Sequence, residues 1–398
     1  MATSQTMTDS NAPSAQSEGA LLVMLPPLEQ AAFEAILANL RTALPAQDLV
    51  ISAPEGISAD AYPGFRFATT TPTKTSWTLT AADFVNAHQA ATKNQARAVL
   101  MLGPESQSLD TSGLRDLANA VLAAPADLAI PCYELPPQAG LVNSSILYPL
   151  NRALFATRVH FPLAIDLGLS LRMAERLAAA GQRLLSANQS DAPVWPVSEA
   201  TVAGMTIDEV KVGTRALPHP ADPDLNSVLP FVTGSLFSDI EAKAAFWQRA
   251  RVTPPAPRTT PTAHSQPPDA SAEVASLVQG FHLAYSNLQE IWRLVLPPNS
   301  LLALKRLSFV DAPTFRMPEA LWVRIVFDFL VAYRLRTLNR GHLLGALIPL
   351  YLAWVASHIN IISSGANPDR HIEALATAFE ADKPYLVARW RWPDRFNP

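Results

Sequence analysis

Residues 96–131 read ARAVLMLGPESQSLDTSGLRDLANAVLAAPADLAIP. Ala96–Leu102 is a short apolar run without polar alternation, the pattern of a strand buried on both faces, and it breaks at Gly103-Pro104. Thr111–Ala123 then carries apolar residues at helical spacing, and Ala126–Pro131 is a second apolar run. Strand, helix and strand in this order predict parallel strands of one open sheet covered by helices. The same unit recurs upstream. LLVML (21–25) is a strand run, Glu29–Ala43 a helix with Phe33, Ile36, Leu37 and Leu40 on one face, DLVISA (48–53) a strand, and Ala81–Gln95 a helix. The fold class expected is α/β, an open and mostly parallel Rossmann-like sheet of the nucleotide-binding type. Ligands of such sheets bind at the carboxyl ends of the strands, which here are Pro26, Ala53–Glu55, Gly103–Glu105 and Pro131–Tyr133.

Beyond the sheet the pattern changes. Thr253–Pro268, TPPAPRTTPTAHSQPP, holds six prolines, which lack a backbone donor and keep a chain extended. From Ser271 onward apolar residues recur at helical spacing, as in Phe281, Ala284, Tyr285 and Leu288 and again in Leu321, Trp322, Ile325, Val326, Phe329 and Leu330. Pro297, Pro298, Pro313 and Pro318 mark the joints between helices. The division expected is a disordered leader over 1–19, an α/β domain over 20–250, a proline-rich linker over 251–270 and an all-α domain over 271–398. Leu343–Ile362 is about as long as a membrane span, but Pro349, Ser357, His358 and Asn360 interrupt it, so a buried helix is expected instead. Trp322, Trp354, Trp390 and Trp392 fall in the apolar patterns and are expected in the core.

The 398 residues carry a formal charge of −4, so no global basic field exists to hold nucleic acid. One cysteine, Cys132, permits no internal disulfide, and residues 1–19 lack the charged and apolar regions of a signal peptide. A cytoplasmic location is expected. No GxGxxG, Walker A, HExxH, GxSxG or paired CxxC occurs, which leaves dehydrogenase, kinase, zinc-protease and serine-hydrolase readings without a motif.

Three stretches, taken in order, carry a resemblance. ADLAIPCYELPPQAGLVNSSILYPLNRALFATRVHFPLAIDLGLS (126–170) is similar to the core of GT-A glycosyltransferases related to glucosylglycerate and mannosylglycerate synthases, through Pro131, Tyr133, Gly140, Asn143, Tyr148-Pro149-Leu150, Arg152-Ala153-Leu154, Pro162, Asp166, Gly168 and Ser170. LPHPADPDLNSVLPFVTGSLF (217–237) resembles the segment that ends the catalytic core of that group. PEALWVRIVFDFLVAY (318–333), ALIPLYLAWVASH (346–358) and KPYLVARW (383–390) resemble its C-terminal helices. The resemblance implies transfer of a hexose, with retention, from a nucleotide-diphosphate sugar to a small hydroxylated acceptor of the glycerate type. It also implies a divalent cation, Mg²⁺ or Mn²⁺, held by an Asp-x-Asp pair and a later histidine to neutralise the leaving diphosphate.

The departures from that pattern are specific. The Asp-x-Asp position falls on Gly103-Pro104-Glu105, one carboxylate instead of two, so metal binding is expected to be weak or absent. Glu105 and His219 are the candidate metal ligands, and Asp166 is the candidate catalytic residue at the acceptor hydroxyl. Pro26, Glu55, Tyr133 and Arg152 are the candidates for holding nucleotide or substrate, and Arg66, Lys74, Lys93 and Arg97 are the cations available to meet a diphosphate. Each has a plainer alternative: Asp166 as the cap of a helix starting near Leu167, Glu105 as an exposed loop carboxylate, His219 as a loop histidine, Arg152 as a surface or packed arginine in place of one that contacts phosphate or the interdomain face. Bulky Ile165 stands where the group has glycine. Two functional classes therefore remain open, a working glycosyltransferase and a non-catalytic pseudo-glycosyltransferase that binds or scaffolds. Self-association through the apolar helices is a further alternative.

Overall fold

The structure is a computed structural model that describes residues 19–53, 61–70, 77–216, 225–250 and 271–393. Seven strands form one sheet: β1 (Leu21–Met24), β2 (Leu49–Ala53), β3 (Arg66–Thr69), β4 (Ala98–Met101), β5 (Leu128–Glu134), β6 (Leu167–Ser170) and β7 (Ile207–Thr214). Their order is β3-β2-β1-β4-β6-β5-β7, with every pairing parallel except those of β6. The chain builds outward from β1 to β3, then returns to lay β4 on the other side of β1. Open sheets of this kind bind ligands at such a reversal, in the crevice outside the carboxyl ends of the two strands, here β1 and β4.

The apolar runs of the sequence become the central strands, with Leu21–Val23, Val99–Leu100 and Leu128–Ile130 all buried. The covering helices are α1 (Gln30–Ala43), α2 (Ala81–Lys93), α3 (Thr111–Leu122), α4 (Tyr148–Phe155), α5 (Leu171–Ser186) and α6 (Pro196–Val202). Local signals start several of them. Thr80 and Asp83 form a capping box at α2, Asp110 accepts from the Gly113 amide at α3, and Ser170 accepts from the Met173 amide at α5. Gly168 is required where α3 lies against β6, because a Cβ there would stand 2.8 Å from the Leu117 carbonyl oxygen.

Two expectations change. Residues 167–170 form strand β6, antiparallel to β4 and β5, so Asp166 caps no helix, and Ser170 caps α5. β5 runs on through Pro131 to Glu134 instead of turning at the proline. β6 pairs only with Leu128 and Ala129, leaving that edge of β5 without a strand neighbour beyond them, which is where a residue without an N–H is tolerated.

The remaining helices are α7 (Leu225–Ala242), α8 (Ala244–Trp247), α9 (Ser271–Val295), α10 (Pro298–Leu307), α11 (Glu319–Leu335), α12 (Arg340–Ser363) and α13 (Pro368–Arg391). Pro297 and Pro298 start α10 and Pro318 precedes α11, as the sequence predicts. α12 is the one helix among the described residues long and apolar enough to cross a membrane; 67% of that stretch is buried inside the protein, against α7 and α9. A second hydrophobic core gathers Phe281, Trp322, Phe329 and Trp354, and it also takes in Ile146, Leu150 and Leu154 from the α4 region and Leu236 and Phe237 from α7. Packing therefore divides the chain differently from the proline-rich segment, since α4 and α7 bury their apolar faces among the C-terminal helices. The Trp322 indole N–H donates to the Ser145 carbonyl, tying α11 to the turn before α4. Trp322, Trp354 and Trp390 are in this core, whereas Trp392 is 63% exposed. Residues 1–18 and 251–270, expected as leader and linker, lie outside the described residues.

Candidate functional site

The β1/β4 crevice is floored by one buried ion pair. After β4 the chain passes Leu102, and the Gly103 amide donates to Asp166 Oδ1 at 2.9 Å. Asp166 Oδ2 accepts from the Tyr133 hydroxyl at 2.7 Å and from Arg215 Nε at 2.9 Å, while Arg215 Nη2 also lies 3.3 Å from Oδ1. Both charged side chains are 0% exposed. Arg215 spends its other donors on backbone and a hydroxyl: Nη2 on the Pro104 carbonyl at 2.6 Å, Nη1 on the Ala216 carbonyl at 3.0 Å and on Ser108 Oγ at 3.3 Å. Four separate stretches thus meet on one carboxylate: the loop after β4, strand β5, the turn into β6 and the end of β7.

This cluster satisfies itself. A buried pair is tolerated only when the remaining donors and acceptors are bonded, and here both carboxylate oxygens and each guanidinium nitrogen have partners. Burial, with the Asp166 charge beside it, holds the Tyr133 phenol well above its ordinary pKa, so the proton stays on the hydroxyl. Ile165 closes the space next to it: a Cβ on Gly103 would stand 2.9 Å from Ile165 Cβ. Asp166 and Tyr133 are consequently a lock on the strand-end loops, with neither presented to a substrate.

The other sequence candidates separate. Pro26 lies half-buried just past the end of β1, at the crevice. Glu105 is exposed, with φ 58°, and accepts from the Gln107 side-chain amide at 2.7 Å. Backbone in the left-handed region is uncommon for a residue with a Cβ, and the Arg215–Pro104 bond beside it helps hold the loop there. Glu55, Lys74 and His219 lie outside the described residues. Arg152 is not at the crevice. It is buried and bonded to Glu373 and Glu380 of α13, at 2.7 and 3.0 Å, and to the Tyr148 hydroxyl at 3.1 Å, which makes it an anchor between α4 and the C-terminal helix. Arg66, Lys93 and Arg97 stand at the amino-terminal side of the sheet, with Arg66 paired to Asp48 and Arg97 bonded to the Leu122 carbonyl, so they face away from a diphosphate at the strand ends.

A divalent cation of the expected kind does not fit the described residues. Hard cations take several oxygen ligands; at the expected Asp-x-Asp position Glu105 is the one carboxylate, and both oxygens of Asp166 are committed. Arg215, the residue that decides this, has no local signal in the sequence; it stands 49 residues after Asp166 and meets it only because β7 ends beside β5.

The sheet is mostly parallel with one antiparallel strand, and a helical C-terminal region follows it. No protein-family model matches the chain, and no curated protein matches it. Among solved structures, glucosyl-3-phosphoglycerate synthase from Mycobacterium tuberculosis in complex with phosphoglyceric acid matches at 15% identity and a TM-score of 0.36, over 56% of this chain and 79% of that one. The same enzyme with Mn²⁺, uridine-diphosphate-glucose and phosphoglyceric acid matches at 16% identity and a TM-score of 0.35, over 56% and 79%. Mannosyl-3-phosphoglycerate synthase from Rubrobacter xylanophilus matches at 13% identity and a TM-score of 0.39, over 60% and 79%. Likeness at this level does not carry an activity, which has to rest on the side chains themselves.

Proposed function

We propose that the protein is a glycosyltransferase-like enzyme that binds a nucleotide-diphosphate sugar in the β1/β4 crevice and passes its hexose to a small hydroxylated acceptor of the glycerate type. The observation that supports this most is the strand reversal between β1 and β4, since open sheets bind ligands at such a reversal, outside the strand ends where Pro26 and Gly103–Glu105 stand. In this reading no cation held by paired carboxylates takes part. Asp166 acts as a positioning residue, fixing through Gly103 and Arg215 the loop that borders the donor.

A second reading, a binding protein without turnover, is favoured by one observation: Asp166 is fully buried against Arg215, so the carboxylate expected to meet an acceptor hydroxyl is out of reach. The matched solved structures lend it no support. Thermal unfolding of the full chain with UDP-glucose, GDP-mannose, UDP or GDP, each with and without Mn²⁺, separates the readings when followed by a transfer assay on 3-phosphoglycerate. A ligand at about 100 times its Kd adds about 2.7 kcal/mol to the folded state. Stabilisation by a sugar nucleotide without Mn²⁺, together with turnover, is the expected result. Stabilisation without turnover moves the assignment to the second reading, and no stabilisation by any of the four compounds overturns the donor site itself.

A further inference from the structure

The face of the sheet turned away from the Asp166 lock carries a cluster that the function above leaves unused. Cys132 and Tyr133 are successive residues of β5, and successive side chains of a strand point to opposite faces. Tyr133 goes to Asp166. Cys132 is grouped with Glu209 of β7 and with His160 from the segment that leads to Asp166, one potential ligand atom of each lying within 4.8 Å of the others. Cys132 and Glu209 are half-buried, and the His160 side chain is 46% exposed. The His160 ring and backbone already face Glu209, with Nδ1 at 2.9 Å from Oε2 and the amide donating to Oε1 at 2.6 Å, and the ring stacks on Tyr148 with centroids 4.9 Å apart. The imidazole is therefore held in place by two neighbours.

We propose that Cys132, His160 and Glu209 form a binding site for a Zn²⁺-type transition-metal cation, with three protein ligands and a fourth position left to solvent. The donor set argues for that class. A thiolate with an imidazole and one carboxylate selects a borderline-soft cation over Mg²⁺ or Ca²⁺, which take oxygen shells. Ligand atoms around Zn²⁺ stand about 3.3–3.8 Å apart, so the three side chains need shifts of rotamer size only. The surrounding charge leans the same way: Glu134 and Asp369 bear on Cys132 or His160 against Lys211, while Glu373 acts on His160 with its own charge paired to Arg152. Without a metal, burial pushes the Cys132 thiol up to about 12, and binding would release that proton as the metal–sulfur bond forms. A bound cation would join β5, β7 and the segment before Asp166, so it would brace the lock from the opposite face.

Cys132 is the only cysteine in the chain, which makes the test unambiguous. The full-length protein, stripped of metal and kept reduced, is titrated with Co²⁺ alone and followed by absorbance. The expected result is one Co²⁺ per chain with a thiolate-to-cobalt charge-transfer band in the near ultraviolet, displaced by an equivalent of Zn²⁺. C132S should lose the band, and H160Q and E209Q should each weaken Co²⁺ by at least the roughly 10–100-fold that loss of an outer partner costs. Thermal unfolding of each metal-free variant reports whether it is folded. A variant that does not fold is replaced by C132A, and the native titration still decides. No charge-transfer band at stoichiometric Co²⁺, or undiminished binding by folded C132S, overturns the site.

Discussion

Arg215 and Arg152 are both buried arginines paired to carboxylates, and they serve different ends. Arg215 fills the carboxyl ends of the strands, meets a single carboxylate that is itself wholly buried, and spends its spare donors on Pro104 and Ser108 of the loop after β4 and on the neighbouring Ala216 carbonyl. Arg152 sits between α4 and α13 and meets two carboxylates, one of which, Glu373, keeps 46% of its side chain in water. The difference lies in what is left behind when the arginine goes. At the junction a released Glu373 rehydrates while Glu380, 12% exposed, does so less, whereas at the crevice a released aspartate stays in an apolar site beside Ile165 and Tyr133. Polar residues at the strand ends thus behave as core, although the topology places them where a ligand binds.

The largest effect follows from that contrast. R215M should destabilise the protein by about 3–5 kcal/mol, the range for breaking a buried pair by removing one partner, while R152M should cost about 1–3 kcal/mol. The double variant D166N/R215M, which leaves no charge in the site, should recover most of the loss. Urea unfolding of the four proteins checks this, and equal costs for the two single variants would break the comparison, showing that water reaches Asp166 after all.

How much of this was legible in the sequence depends on whether a neighbour in the chain or a neighbour in space sets the residue's role. Leu21–Met24, Leu49–Ala53 and Ala98–Met101 announce themselves because a strand buried on both faces is apolar throughout. β3 and β7 do not, since an edge strand such as IDEVKVGT mixes polar and apolar residues and gives no run. β6 is four residues, LGLS, whose glycine is there for α3. Asp166 stood out by resemblance, but its partner lies 49 residues away and its role was open until the fold brought the two together. Arg152 likewise finds Glu373 and Glu380 only across 221 and 228 residues. Those contacts make Arg152 a packed arginine on the face between the sheet part and the helical part, and it holds no phosphate there.

Acidity sharpens the comparison from the junction side. His358 of α12 is buried, stacked on Trp354, with Nδ1 2.7 Å from His371 Nδ1 and Nε2 3.4 Å from the Pro137 carbonyl in the segment that leaves the sheet. His371 in turn faces Glu319 at 3.4 Å. Burial, with His371 beside it, lowers the His358 pKa to about 4. Between the ordinary value near 6.5 and 4 the unfolded chain holds a proton that the folded chain does not, so this stability is complete above pH 6.5 and falls as pH falls through the window. Asp328, raised to about 6 by burial, works in the opposite direction over part of the same range, which is why a difference has to be measured. The stability of the native chain relative to H358Q should drop by about 3 kcal/mol between pH 7 and pH 4. A difference that does not move with pH would mean that water reaches the pair, and the junction would then be wet at His358 as it is at Glu373, in contrast to the crevice.

The smallest effect is expected at Glu105, and it bears on the metal. Its carboxylate is exposed and accepts one hydrogen bond from Gln107, while the left-handed backbone is held from outside by Ser108, whose hydroxyl donates to the Glu105 carbonyl, and by Arg215 on Pro104. Glutamine keeps an acceptor at the same reach, so E105Q should change stability by less than about 0.5 kcal/mol. It should also leave the response to a sugar nucleotide the same with and without Mn²⁺, because a single exposed carboxylate holds a hard cation poorly. Thermal unfolding with UDP-glucose checks both at once. A Mn²⁺-dependent rise in the native chain that disappears in E105Q would make Glu105 a ligand, and the remaining ligands would then have to come from 54–60 or 217–224, the segments that hold Glu55 and His219. In that case the strand ends would be an active metal site built around the lock, and the buried Asp166–Arg215 pair would be its foundation instead of its replacement.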